Sequence, residues 1–196
     1  MKLTAYIINL KHRTDRYNHI ITELSKLDIS NFNIIDAIKH DVPWKGCFFS
    51  HIKCIQHAKN NNLPYVLILE DDCIFTDDAQ THLINALTEL QNLDWDMFFL
   101  GANLQKPTSR VTDSLLKLSG AWAAHAYIVH SRLYDMILNF TAEKEIDVYY
   151  NDLMVNYNVY MCDPMIAYQL PSHSDLQDGF RDYNQAMFNN YLRFKS

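Results

Sequence analysis

The chain is poor in glycine, with four residues in 196, and holds no apolar run approaching the roughly 20 residues that cross a bilayer as a helix. That disfavours a transmembrane helix in the sequence as it stands. Basic residues are outnumbered, 17 Lys plus Arg against 23 Asp plus Glu, for a net charge of -6. A nucleic-acid binder relying on general attraction to phosphate is therefore disfavoured. Cys47, Cys54, Cys73 and Cys162 show no CxxC pairing, and read as free thiols and not as a disulfide framework. There is no internal repeat, low-complexity tract or linker. The first ten residues carry one early Lys, a short apolar segment and no small-residue cleavage site, so they read as a first strand and not as a signal peptide. Asn, Ile, Tyr and Lys are plentiful, a bias that hints at an AT-rich coding genome and says nothing of activity.

With 48% apolar and 20% charged residues, the composition is that of an ordinary globular protein. The length suits a single domain over 1–196 with a substantial core. Apolar periodicity predicts strands at 4–10, Phe32 to Ile35, Tyr65 to Leu69, Trp95 to Leu100, around Gly120 within 115–130, and Met165 to Leu170. Helices are expected at about 15–27, 47–60, after Asp77 and Asp78, from Ser131 to about 140, at about 147–156 and at about 182–193. Asp41 to Gly46, with Pro43 and Gly46, is expected to be a loop, as is 101–114. Strands alternating with helices give an α/β fold with a mostly parallel central sheet flanked by helices.

The run Tyr65-Val66-Leu67-Ile68-Leu69-Glu70-Asp71-Asp72 carries the most chemistry. Its apolar part suits a central strand buried on both faces. Three carboxylates at its carboxyl end repel one another unless a cation or ligand sits among them, and ligands of open α/β sheets bind at that end. The competing reading is that the acids open a surface loop and cap the next helix. Arg13 and Arg16 fall at a helix start, an unfavourable place for cations alone, but a good one for pairing with a diphosphate. Gly46, Ser50 and His51 stand where helix N–H groups attract anions; a cap beside a packed histidine is the plainer reading. Cys47 and Cys54 read as core thiols. Trp44, placed in the loop beside Gly46, is the better candidate for stacking on a ligand, and Trp95 for the core.

Ile8-Asn9-Leu10 followed by Arg13-Thr14-Asp15-Arg16, then Gly46-Cys47-Phe48-Phe49-Ser50-His51, then Leu69-Glu70-Asp71-Asp72 resemble, in this order, the motifs of glycosyltransferase family 25. That family includes lipooligosaccharide β-galactosyltransferases and collagen hydroxylysine galactosyltransferases. The stretches Asp96 to Gly101, Ala126 to Val129, Ile146-Asp147 and Gln169 through Asp175 resemble its later segments. Any one of these is weak; the ordered set is specific.

The resemblance implies a GT-A-type fold, a UDP-sugar donor (galactose or glucose) and Mn²⁺ or Mg²⁺. It implies an inverting transfer to a glycan, lipooligosaccharide or glycoprotein hydroxyl. Asp72 is the first expected metal ligand, with Glu70, Asp175 and His173 as others. Asn9, Arg13, Arg16, Gly46, Ser50, His51, Glu70 and Asp71 are expected around the donor. Asp147 is the first candidate for the base that takes the acceptor proton, with Asp152 as alternative; Asp147 serves equally as a helix cap. A catalytically degenerate binding module of the same fold is the competing function. The expected location is the cytoplasm, of a bacterium or of a host if the chain is viral.

Overall fold

The computed structural model describes residues 2–173 and 180–195, without the side chains of 172, 173 and 181. The chain runs β1 Ala5–Asn9, α1 Thr14–Leu24, β2 Phe32–Asp36, α2 Pro43–Asn60, β3 Tyr65–Glu70, β4 Cys73–Phe75, α3 Ala79–Leu90 and β5 Met97–Phe99. Short strands β6 Asn103–Leu104, β7 Ser109–Arg110, β8 Leu115–Lys117 and β9 Ala121–Trp122 follow. Then come β10 Ala126–His130, α4 Tyr134–Leu138, α5 Ile146–Leu153, β11 Val159–Cys162, β12 Ala167–Gln169, β13 Ser172–His173, β14 Phe180–Arg181 and α6 Asn184–Phe194.

Eight strands form one sheet in the order β2-β1-β3-β10-β5-β11-β8-β7. β1 lies parallel to both β2 and β3, and β5 parallel to β11. β10 runs antiparallel to β3 and β5, and β8 antiparallel to β11 and β7. The α/β expectation holds in a mixed form: β10 and β8 alone oppose the direction shared by the other six.

Alternation along the central strands builds two cores. Tyr6, Ile8, Val66 and Ile68 face one side, where α2, α4 and α5 supply Phe48, Ile55, Ile137 and Tyr150. Ala5, Ile7, Leu67 and Leu69 face the other, against Ile20 and Leu24 of α1 and Leu83 and Leu90 of α3. Val66 to Leu69 have no exposed surface, and each such side chain contributes about 1.5–3 kcal/mol by burial. β1 returns to β2 through α1 on one face, and β2 to β3 through α2 on the other. The topological switch point therefore falls between β1 and β3, where Ile8 pairs with Glu70 and where open α/β sheets place their ligands.

The segment 41–46 is not a loop throughout. α2 begins at Pro43, at its first turn, and Gly46 is helical. Proline is tolerated there because the first helical N–H has no partner within the helix. Gly46 is required by a close approach: a Cβ would lie 2.6 Å from the Ile38 carbonyl oxygen. Trp44 consequently sits in the first turn of α2, with Lys45 Nζ 5.5 Å from its ring centre. Two short strands occupy part of 101–114. Ser131 begins a 3-10 turn capped by the His130 side chain, not a long helix.

Candidate active site at the carboxyl ends of β1 and β3

β3 ends at Glu70, and Asp71 and Asp72 turn the chain into β4. The trio is thus a strand end plus a turn and not an extended stretch, yet all three acids line one cavity of about 410 Å³. α2 contributes Gly46, Cys47, Ser50 and His51 to its wall, and α1 contributes Arg16. The far side is closed by Gln169, Leu170 and Tyr183, held there partly because the Leu170 N–H donates to the Asp72 carbonyl at 2.6 Å.

Each acid has a different environment. Asp71 accepts from Asn9 Nδ2 at 2.7 Å and from Arg16 Nη1 at 3.0 Å. Burial nevertheless outweighs the Arg16 charge and raises its pKa. Asp72 Oδ2 lies 3.7 Å from Arg16 Nη1, and its Oδ1 is buried without a hydrogen-bond partner among the described residues. Burial first, and the Glu70 charge second, push the Asp72 carboxyl up to about 8. Glu70 Oε1 meets His51 Nε2 at 3.1 Å and the Cys47 thiol at 3.7 Å. Burial pushes Glu70 up, but the His51 hydrogen bond and charge more than offset it, so its pKa is lowered.

His51 has no exposed surface. Its Nδ1 is 2.9 Å from Tyr127 Oη, which is 2.9 Å from Tyr150 Oη, a buried chain from the cavity wall across the sheet to α5. His125 is also fully buried, and neither ring nitrogen makes a hydrogen bond of ordinary geometry among the described residues. Burial lowers its pKa, against the pull of the Glu70 charge and of the nearby Ala167 backbone.

The structure brings together Arg16, Gly46, Ser50, His51, Glu70, Asp71 and Asp72 around the cavity. Asn9 stands behind them through Asp71. Ser50 Oγ donates to the Gly46 carbonyl at 2.7 Å and accepts from Ile38 N at 2.8 Å, so it also ties α2 to the segment after β2. Arg13, the residue before α1, pairs with Asp15 and does not line the cavity. Asp147 and Asp152 do not line it either. Asp147 is half-buried in the first turn of α5 and accepts from Ala123 N at 3.2 Å and Val148 N at 2.8 Å. Asp152 is exposed and paired with Lys144 at 2.7 Å. Asp175 lies outside the described residues, as does the His173 side chain.

Sequence reasoning missed Cys47, Tyr127 and His125 as site residues; Tyr150, with Tyr149 and Tyr157, is expected there only along an acceptor groove. Cys47 and His51 are four apart on α2, a spacing that puts both on one helix face and was visible in the sequence. Tyr127 and Tyr150 are 76 and 99 positions from His51 and carry no local signal of that contact.

The mixed α/β sheet flanked by helices, with a cavity lined by three acids at its switch point, is of the GT-A type. The model of glycosyltransferase family 25 (LPS biosynthesis protein) matches residues 42–154, more than half of the chain, and the chain belongs to that family. Procollagen galactosyltransferase 1-B of Xenopus laevis is 29% identical over 127 residues, 50% of this chain and 21% of that protein. Inactive glycosyltransferase 25 family member 3 of Mus musculus is 24% identical over 137 residues, 55% of this chain and 23% of that protein. The chain thus spans about a fifth of the length of these curated relatives. Among solved structures, A197 from STIV superposes with a TM-score of 0.53 at 11% identity, covering 87% of this chain and 86% of that one. No helix among the described residues is long and apolar enough to cross a membrane.

Proposed function

We propose that this chain is a metal-dependent, inverting glycosyltransferase. It moves galactose or glucose from a UDP-sugar to a hydroxyl of a glycan, lipooligosaccharide or glycoprotein acceptor and forms a β-glycosidic bond. The observation that carries the proposal is the buried, unpartnered Asp72 Oδ1 beside two further carboxylates at the switch point. The three acids share the cavity wall with Arg16 and Lys39, and their crowding helps to push the Asp72 carboxyl up; a cation among them would relieve it, and an oxygen-rich set of this kind suits Mn²⁺ or Mg²⁺. Asp72 and Glu70 would hold the ion, with Asp175 and His173 as further proposed ligands. When bound, such an ion neutralises charge that develops on a diphosphate leaving group.

The chain's own residues have separable roles in this reading. Arg16 holds Asp71 in place, and Asn9 does so from the other side. The first turns of α2 line the cavity through Pro43, Gly46 and Ser50 and turn the positive end of the helix dipole toward a bound phosphate. Arg13 remains a candidate for the outer diphosphate. In the transfer, the acceptor oxygen attacks the anomeric carbon, the bond to the diphosphate breaks with its electron pair leaving on UDP, and the acceptor proton goes to a carboxylate. Asp147 is preferred to Asp152 as that carboxylate, because it is half-buried and accepts from backbone N–H groups, whereas Asp152 is exposed and engaged by Lys144.

A second reading is favoured by one observation, the similarity to relatives named inactive: a degenerate nucleotide- or sugar-binding module. A donor screen with UDP-galactose and UDP-glucose, read by UDP release with and without Mn²⁺, separates the two. Release that requires the ion and disappears in Asp72→Ala, with the fold intact by circular dichroism, supports the transferase. UDP binding with no release from any donor, across a broad acceptor panel, supports the module and overturns the transferase.

A further inference from the structure

The Cys47 Sγ, His51 Nε2 and Glu70 Oε1 atoms all lie within 4.8 Å of one another, and nothing in the donor reading uses the sulfur. We propose that these three side chains form a binding site for a zinc-class ion, chemically distinct from the oxygen face of Asp72 and sharing Glu70 with it.

The geometry is close to what such an ion needs. Nε2 to Oε1 is 3.1 Å and Sγ to Oε1 is 3.7 Å. Tetrahedral zinc, with bonds of about 2.0–2.3 Å, spaces adjacent N, O and S ligands about 3.3–3.6 Å apart. Shifts of a few tenths of an ångström bring these two pairs to that spacing, and the sulfur–imidazole pair, within 4.8 Å, would close up around the ion. Cys47 and His51 project from one face of α2 at a four-residue spacing, and Glu70 meets them from the end of β3. All three line the cavity, so a fourth position opens toward it, as in sites that keep one place for water or a substrate.

An independent observation is the support behind the histidine. Metal-bound imidazoles are oriented by a hydrogen bond at the other ring nitrogen, and His51 Nδ1 is held 2.9 Å from Tyr127 Oη, itself held by Tyr150. Both tyrosines are buried, which fixes Nε2 toward Cys47 and Glu70. The ligand set also selects the ion: thiolate plus imidazole suits Zn²⁺ and Co²⁺, whereas Mg²⁺ and Mn²⁺ are better served by oxygens.

The protons balance. The Cys47 S–H that now faces Glu70 is released to solvent as the sulfur–metal bond forms. The Nε2 proton that His51 gives to Glu70 is displaced, and the neutral ring carries its proton on Nδ1 instead, donated to Tyr127, whose own O–H turns to Tyr150; Nε2 then offers its lone pair to the ion. No oxidant or reductant is involved. A consequence that rests on the transferase reading is that a zinc-class ion, by engaging Glu70, competes with the Mn²⁺-dependent donor complex.

The test is a titration of the full, metal-free chain with Co²⁺ alone, followed by absorbance. A sulfur-to-cobalt charge-transfer band in the near ultraviolet, saturating at one equivalent, is expected. It should disappear in Cys47→Ser and persist in Asp72→Asn, and Tyr127→Phe should weaken binding by about 10- to 100-fold. If Cys47→Ser fails to fold, His51→Gln is the second variant, expected to weaken binding at least as much as Tyr127→Phe. No charge-transfer band, or a band undiminished in a folded Cys47→Ser protein, overturns the site. No sugar nucleotide enters this experiment, so its outcome is independent of whether the chain transfers hexose.

Discussion

His51 Nε2 lies 3.1 Å from Glu70 Oε1 in a part of the core where His51 has no exposed surface. The imidazole thereby links the cavity wall to Tyr127 and Tyr150 behind it. Glu70 is kept below the ordinary carboxylate range by this contact, despite burial acting the other way.

Replacing that imidazole with an apolar ring should therefore be costly. His51→Phe leaves the Glu70 carboxylate without its hydrogen-bond donor and the Tyr127 hydroxyl short of a partner. A loss of about 1.5–3 kcal/mol is expected, the scale of a hydrogen bond to a charged group, because the Glu70 side chain keeps some exposure to the cavity. Urea unfolding followed by fluorescence measures it. A loss under about 1 kcal/mol would mean that the contact is incidental.

Gly46 offers a test in which two effects oppose each other. It is helical, and helix propensity alone makes Gly46→Ala stabilising by about 1 kcal/mol. A Cβ there would stand 2.6 Å from the Ile38 carbonyl oxygen, and overpacking of this sort costs about 1–3 kcal/mol. Steric crowding against backbone should win, so Gly46→Ala is expected to lower the urea midpoint. A raised midpoint would show that the segment after β2 moves aside freely.

Asp72 predicts a pH dependence. Its carboxyl is pushed up to about 8, against an ordinary value of 3.8, so the folded state holds the proton more tightly than the unfolded chain. Its stabilising contribution is complete below the ordinary value and is lost as pH rises toward about 8. Asp72→Asn removes this titration. With a chelator present, the melting temperature of the variant relative to the unsubstituted chain should rise between about pH 5 and about pH 8.5. A difference that stays constant across that interval would contradict the raised carboxyl.

How much of this was legible in the sequence varied by residue for physical reasons. β1 and β3 were plain because strands buried on both faces read as continuous apolar runs, and the acids at the end of β3 marked the cavity. Pro43 and Gly46 misled, because both punctuate loops, yet proline fits a first helical turn and Gly46 answers to a carbonyl 2.6 Å away that belongs to another segment. The insertion of β10 against β3 was hidden, since strand order depends on packing and not on local period. The His51–Tyr127 contact joins residues 76 positions apart, and nothing in either neighbourhood announces it. Cys47 was different: its four-residue spacing from His51 was present, but a lone cysteine on a helix is most simply a core thiol.

Binding of UDP measured by calorimetry, with Mn²⁺ and with a chelator, in the unsubstituted chain and in Asp72→Asn, bears most directly on the donor site at the carboxyl ends of β1 and β3. Binding that requires the ion, and that weakens at least about tenfold (about 1.4 kcal/mol) in Asp72→Asn, is the predicted result. UDP binding of equal strength with and without Mn²⁺, or unchanged by the substitution, would contradict a cation-held diphosphate at Asp72.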